Sequence, residues 1–292
     1  MFSREQQGLA ACLASGVLWG VGVLFWPLLS YLSPISILSL RLIFSFFFAL
    51  FVVYCTSRFN LVKSLFQNKK TLKNLILATI FLCLNWGFYI YAINSEQVIE
   101  VSLGYYLTPL MSIALGRMFF NDILNKNQVI AIGIVIVGVS YGILSYGEIP
   151  YLGLIIGSTF AVYGFLHKVI NADAISLLFA ETMIIFPFSC LWLYFTEPQY
   201  GIIGYSMSHY ILLVGTIFFT GIPLILFTYA TTTVRLTTLG FMLYLSPSIN
   251  FLLAIFYTHE AIKSSDYITF PVVWVALCIY TIDMIHKTKK VH

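Results

Sequence analysis

The chain has 292 residues, of which 60% are hydrophobic and 9% charged, with a net charge of +4 and a mean hydropathy of +0.94. Soluble domains carry about 25% charged residues, so a soluble enzyme or binding module is excluded and the composition is that of an integral membrane protein. The small net charge speaks against a nucleic-acid partner. Five scattered cysteines (Cys12, Cys55, Cys83, Cys190, Cys278) have no CxxC or metal-ligand spacing, so neither metal nor cofactor is expected.

Crossing about 30 Å of hydrocarbon takes about 20 helical residues. The apolar runs are continuous rather than alternating, which selects helices over strands. The first expected span, 8–28, follows Arg4 and is too long for a signal-peptide core, so it reads as a retained span; it contains Trp19. The second, 36–55, carries Arg41 near its outer end. The third, 73–93, places Asn85, Trp86 and Tyr89 on one face. The fourth, 99–119, contains "SLGYYLTPL", with Gly104, Tyr105 and Pro109, and the fifth covers 128–146. The sixth, 150–168, holds Tyr163 and ends at His167 and Lys168, where His167 reads as interfacial rather than as a proton relay. The seventh, 175–195, contains Glu181, and the eighth runs over 209–229. The ninth, 237–257, contains "TLGFMLYLSP", with Gly240, Phe241, Tyr244 and Pro247. The tenth, 267–285, ends near Asp283, which reads as solvated or interfacial.

Ten spans with a cytoplasmic N-terminus place thirteen Lys and Arg residues on the inner side and only Lys263 on the outer, with Arg41 inside a span. This asymmetry follows the positive-inside rule and puts both termini in the cytoplasm. The chain also repeats itself. Ser102 to Pro109 superposes on Thr238 to Pro247 at shifts of 136 to 138 residues, Trp19–Gly20 matches Tyr163–Gly164, and Arg41 corresponds to Glu181. The expected fold is therefore all-α, with ten transmembrane helices arranged as two inverted five-helix repeats, 1–147 and 148–292. Because five is odd, the second half enters the membrane the other way up.

Inverted repeats belong to secondary transporters, which bind solute near mid-membrane and alternate access by moving one repeat against the other. Ionisable residues inside spans are functional candidates, so Arg41 and Glu181 are expected to bind substrate, with Glu181 taking part in proton coupling or in binding a cationic substrate group. Trp19, Asn85, Trp86, Tyr89, Tyr105, Tyr163, Phe241 and Tyr244 complete an expected aromatic substrate cavity. Gly104, Pro109, Gly240 and Pro247 are expected to shape gates, because proline removes a helical hydrogen bond and kinks the helix. Ser112 and Asn250 are candidates to satisfy the carbonyls so freed. Gly16–Gly20, Gly138–Gly142 and Gly153–Gly157 have the small-xxx-small spacing of close helix packing, within one chain or in a homodimer.

"RLIFSFFFAL" (41–50), "NWGFYIYAIN" (85–94), "EVSLGYYLTPL" (100–110), "TLGF" (238–241) and "VWVALCIYTID" (273–283) carry a family resemblance over the whole chain. The sequence resembles the EamA-type branch of the drug/metabolite transporter superfamily and, within it, the RarD-type chloramphenicol-sensitivity transporters. That resemblance implies a multi-pass protein of a bacterial inner membrane, with small solutes and lipids as its partners, exporting amphipathic metabolites or drugs. Import of S-adenosylmethionine or nucleotide-like solutes is the alternative it leaves open. No GxxxxGK[ST] or HExxH is present, which disfavours ATP-driven transport and an intramembrane enzyme; a lipid scramblase or a receptor-like sensor is a further competitor.

Overall fold

A computed structural model describes residues 3–94, 98–147, 149–200, 206–258 and 264–290; Lys263 and the side chains of Ser102 and Glu100 lie outside the described residues. The described residues are helical, without strands. They include eight helices long and apolar enough to cross a membrane, together with a shorter apolar helix over Tyr267–Asp283.

In chain order the helices are α1 (Arg4–Val21), α2 (Pro34–Cys55), α3 (Phe59–Gln67), α4 (Lys69–Asn94), α5 (Val98–Phe119), α6 (Lys126–Tyr146), α7 (Tyr151–Ile170), α8 (Ala174–Tyr200), α9 (Met207–Phe219), α10 (Gly221–Thr233), α11 (Leu236–Leu243), α12 (Leu245–Leu253) and α13 (Asp266–Lys290). The first expected span ends in 3-10 turns at Gly22–Leu24 and Trp26–Leu29, and the ninth ends in a π-helical turn at Ala254–Thr258. Two expected spans are broken in the middle, one at Thr220 between α9 and α10 and the other at Tyr244 between α11 and α12. Pro223 and Pro247 each follow the break by three residues, and neither can donate to the carbonyl four residues back. α5, by contrast, continues through Pro109 without a break.

The chain divides into two compact units, residues 1–83 with 163–234 and residues 84–162 with 235–292. Each unit therefore draws helices from both sequence halves. In the first unit α2 packs on α8, α1 on α10 and α9 on α2. Phe46 stacks on Phe179 and lies against Phe186, filling the α2–α8 seam. α3 is an amphipathic helix inside a stretch that reads from sequence as a basic loop. It buries Val62 and Leu65 and lies against α8.

Asp173 caps α8: its carboxylate accepts from the Ser176 N–H (2.9 Å) and hydroxyl (2.8 Å), and it pairs with Arg58. Partial burial works against the charge. The Ser176 and Arg58 bonds outweigh it and hold the Asp173 carboxyl below its ordinary value of 3.8. A lowered carboxyl stabilises the fold at neutral pH and loses that contribution as pH falls below about 4. Asp173→Ala should therefore cost about 1 kcal/mol at pH 7. The gap in thermal midpoint between wild type and variant should close as pH is lowered toward 3.

In the second unit α5 packs on α11 and α6 on α13. Close approach there is set by glycine. A Cβ on Gly157 would lie 3.0 Å from the Gly104 carbonyl oxygen, and one on Gly104 would lie 3.0 Å from the Gly153 carbonyl oxygen. Gly138 lies against Val272, so this glycine is used inside the unit. Asp122 accepts from the Thr237 N–H (3.0 Å) and hydroxyl (2.9 Å), tying the start of α11 to the end of α5. Asp283 is buried rather than solvated, because Asn125 and Asn127 at the start of α6 donate to it at 2.5 and 3.1 Å.

Candidate functional site

In the first unit α7, α8 and α10 converge on a buried polar cluster. Glu181, seven residues past Ala174, lies about 10 Å along α8. Its carboxylate accepts from Tyr163 Oη at 3.1 Å and is bonded to His167 Nε2 at 2.6 Å. The other ring nitrogen of His167, Nδ1, is bonded to Thr228 Oγ1 at 3.0 Å. Tyr163 and His167 stand one helical turn apart on α7, which is why both reach one carboxylate. The pair is almost completely enclosed: the side chains of His167 and Glu181 are 0% and 1% exposed. His167 is thus no interfacial residue. Lys168 beside it turns to the end of α10, where its ammonium donates to the carbonyls of Thr231 (3.1 Å) and Val234 (2.5 Å).

The network has few hydrogen-bond arrangements. With Glu181 ionised and His167 neutral, Nε2–H and Tyr163 O–H both donate to the carboxylate, and Nδ1 accepts from Thr228. One added proton gives either an ion pair or a neutral acid hydrogen-bonded to neutral imidazole. Both arrangements carry no net charge. A buried net charge is costly, and a buried pair offsets its desolvation only with well-placed hydrogen bonds, which Tyr163 and Thr228 supply here.

Trp19 and Tyr163 both lie against one ring of α10. Phe227 lies 5.6 Å from Trp19 and 6.1 Å from Tyr163, stacked on the latter at 7°. Arg41 does not form an ion pair with Glu181; its guanidinium lies over the Trp26 ring, 5.2 Å from the centroid.

The remaining predicted residues belong to the second unit. Asn85 is buried and its Nδ2 donates to the Ile156 carbonyl (2.7 Å) and to Thr159 Oγ1 (3.2 Å), fastening α4 to α7. Asn85→Ala should destabilise the protein by about 1–3 kcal/mol, because the amide is removed and its partners stay buried; a thermal unfolding series in detergent reads this directly. Trp86 is half-buried, and Tyr89 meets the exposed Tyr105 at 6.4 Å. Phe241 stacks on Tyr280 at 3.9 Å, and Tyr244 Oη donates to the Tyr106 carbonyl at 2.9 Å; both side chains are fully buried.

The two copies of the repeated motif pack on each other. A Cβ on Gly240 would fall 2.8 Å from the Pro109 carbonyl oxygen. Ser112 donates to the Thr108 carbonyl, and Ser248 to that of Tyr244, so Ser112 does not serve the carbonyl that Pro109 frees.

His167 and Thr228 were missed from sequence. The i, i+4 spacing of Tyr163 and His167 was the available signal, obscured by the neighbouring lysine.

Residues 6–143 match the model of the EamA-like transporter family. Protein RarD of Streptomyces exfoliatus is 33% identical over 291 residues, covering 99% of this chain and 92% of its own. The chain belongs to the EamA-like transporter family. A second member, the uncharacterized transporter YojE of Bacillus subtilis, is 33% identical over 287 residues, covering 97% and 96% of the two chains. A solved crystal structure shares the fold at a TM-score of 0.72 with 13% identity, covering 94% of this chain and 96% of that one. The protein is accordingly a membrane transporter of this family, multi-pass in a bacterial inner membrane.

Proposed function

We propose that the protein is a proton-coupled secondary transporter that exports small amphipathic organic solutes by alternating access of its two inverted repeats. The enclosed Glu181–His167–Thr228–Tyr163 network carries this reading. Titratable groups buried in a membrane bundle mark ion or substrate pathways, and this one becomes electrically neutral on binding a single proton. A closed state favours the neutral network, and a water-filled state lets the proton leave. Movement of solute is then linked to movement of the proton through the same conformational change.

The packing supports the repeat. The second and seventh spans pack together as α2 on α8, the fourth and ninth as α5 on α11, and the fifth and tenth as α6 on α13. These three pairs meet their own counterparts, as elements lying near a two-fold axis do, whereas the first span packs on the eighth. In the second unit Trp86, Tyr89 and Tyr105 are not fully buried and keep ring surface for flat solutes. Asn85, Phe241 and Tyr244 serve that surface by holding helices in place, and Gly104, Pro109, Gly240 and Pro247 form the crossings about which the helices move.

Counterflow in proteoliposomes tests the reading. Labelled amphenicols, amino acids, nucleosides and S-adenosyl compounds are each offered against the same unlabelled solute inside, beside labelled phospholipid. Trans-stimulated uptake of one solute class without lipid movement is expected. Lipid movement alone, or enzymatic conversion of a solute, would overturn it.

A further inference from the structure

The first unit holds a second polar constellation, which the proton network does not use. Arg41 and Ser45 stand one turn apart on α2. Ser45 lies about 16 Å along the axis from Pro34, the middle of a hydrocarbon layer about 30 Å thick. At the same place the α9–α10 span is interrupted at Thr220. Irregular backbone at membrane depth persists only where protein encloses it or where it borders a wet cavity.

The break is lined by polar atoms that want a partner. Ser45 and Thr220 are 0% and 1% exposed, and neither Ser45 Oγ nor Thr220 Oγ1 has a hydrogen-bond partner. The Ser45 hydroxyl is aimed at the first turn of α10: a Cβ on Gly221 would lie 3.4 Å from it. Thr220 occupies the cap position of α10 without capping it through its side chain. The first-turn N–H groups of Gly221 and Ile222, Pro223 having none, present the positive end of the helix dipole to the same spot. Arg41 adds a permanent positive charge. Its guanidinium lies on Trp26, and Trp26 packs edge-on against Phe219, the residue before the break, at 6.4 Å.

Two buried hydroxyls and a helix N-terminus thus meet at one interruption, with a cation one aromatic ring away from it. A buried hydroxyl left unpaired costs about 1–3 kcal/mol, and the two oxygens of a carboxylate satisfy both hydroxyls while matching the single positive charge. A phosphate dianion would leave a charge uncompensated. We propose that this break seats the carboxylate of the transported solute, an organic acid or zwitterion, held by Arg41, Ser45, Thr220 and the N-terminus of α10. The assignment rests on the solute-transporter reading and narrows its substrate class to carboxylates.

The test is thermal stabilisation of the purified full-length protein by matched pairs: phenylalanine against phenylalaninamide, and indole-3-acetate against indole-3-acetamide, with inorganic phosphate as a third arm. At least one carboxylate should bind about tenfold or more tighter than its amide. That ratio should fall toward one in Arg41→Gln. In the milder Ser45→Ala and Thr220→Val variants, which change little volume, it should fall partway. Equal binding of acid and amide, preference for phosphate, or a ratio unchanged in all three variants would overturn the carboxylate seat. Counterflow of an uncharged solute with no carboxylate stabilisation would overturn the seat and leave transport standing. Carboxylate stabilisation lost in the variants, with counterflow of no solute class, would keep the seat and overturn transport.

Discussion

Replacing Glu181 by Gln is expected to preserve solute exchange and to abolish its dependence on a proton gradient. Glutamine keeps the volume and the acceptor oxygen toward Tyr163, so the packing of α7 on α8 survives. It loses the group that binds the proton, and loss of a positioned proton-transfer group costs on the order of 10²–10⁴ in rate. Gradient-driven accumulation should therefore fall by about a hundredfold, while counterflow at equal pH on both sides changes little. His167→Gln separates the two halves of the pair. Glu181 then keeps Tyr163 as a donor but loses its close 2.6 Å partner, so transport should persist with a displaced pH profile rather than vanish. A structural role alone would lower the thermal midpoint of both variants and leave the pH profile of the remaining activity where it was.

Gly240→Ala is expected to have the largest effect on stability of any single methyl addition in the second unit. The new Cβ would meet Ile113 Cγ1 at 2.7 Å and the Pro109 carbonyl oxygen at 2.8 Å. The isoleucine can rotate, but the backbone carbonyl cannot move without shifting α5. Overpacking of this kind costs about 1–3 kcal/mol, and Gly240→Val should cost more. Gly87→Ala is the matched control, since nothing lies within 4 Å of the added Cβ and a helical Gly→Ala exchange is otherwise favourable by about 0.5–1 kcal/mol. Thermal unfolding in one detergent should show the Gly240→Ala midpoint well below wild type and the Gly87→Ala midpoint at or above it.

Much of this fold is legible in the sequence, because lipid imposes length and composition on each span. The expected second, fifth and tenth spans fall inside α2, α6 and α13. The interruptions at Thr220 and Tyr244 are less visible, since both lie in runs that are apolar throughout. Pro247 is marked by the repeated motif, whereas Pro223 lies outside it. α3 was hidden among Arg58, Lys63, Lys69 and Lys70, although Val62, Leu65 and Phe66 have the spacing of one helical face.

The candidate site was legible in part for a related reason. Glu181 stands out because a carboxylate inside a span needs an explanation. His167 sits near a span end beside Lys168, where a histidine is ordinarily wet. Ser45 and Thr220 are ordinary residues in any helix, and only burial without a partner marks them. The division into compact units also cuts across the expected repeats, and nothing local in the chain announces which distant segments pack together. The Asp122–Thr237 tie joins residues 115 positions apart.

The most direct test of proton-coupled transport is proton movement itself. Wild-type and Glu181→Gln proteoliposomes are loaded with a trapped pH indicator and challenged with the solute identified by counterflow. Wild-type vesicles should show solute-dependent proton flux opposite in direction to the solute, and Glu181→Gln vesicles should exchange the solute with no proton signal. Solute transport by wild type without proton movement, or an undiminished proton signal in the variant, would contradict the account.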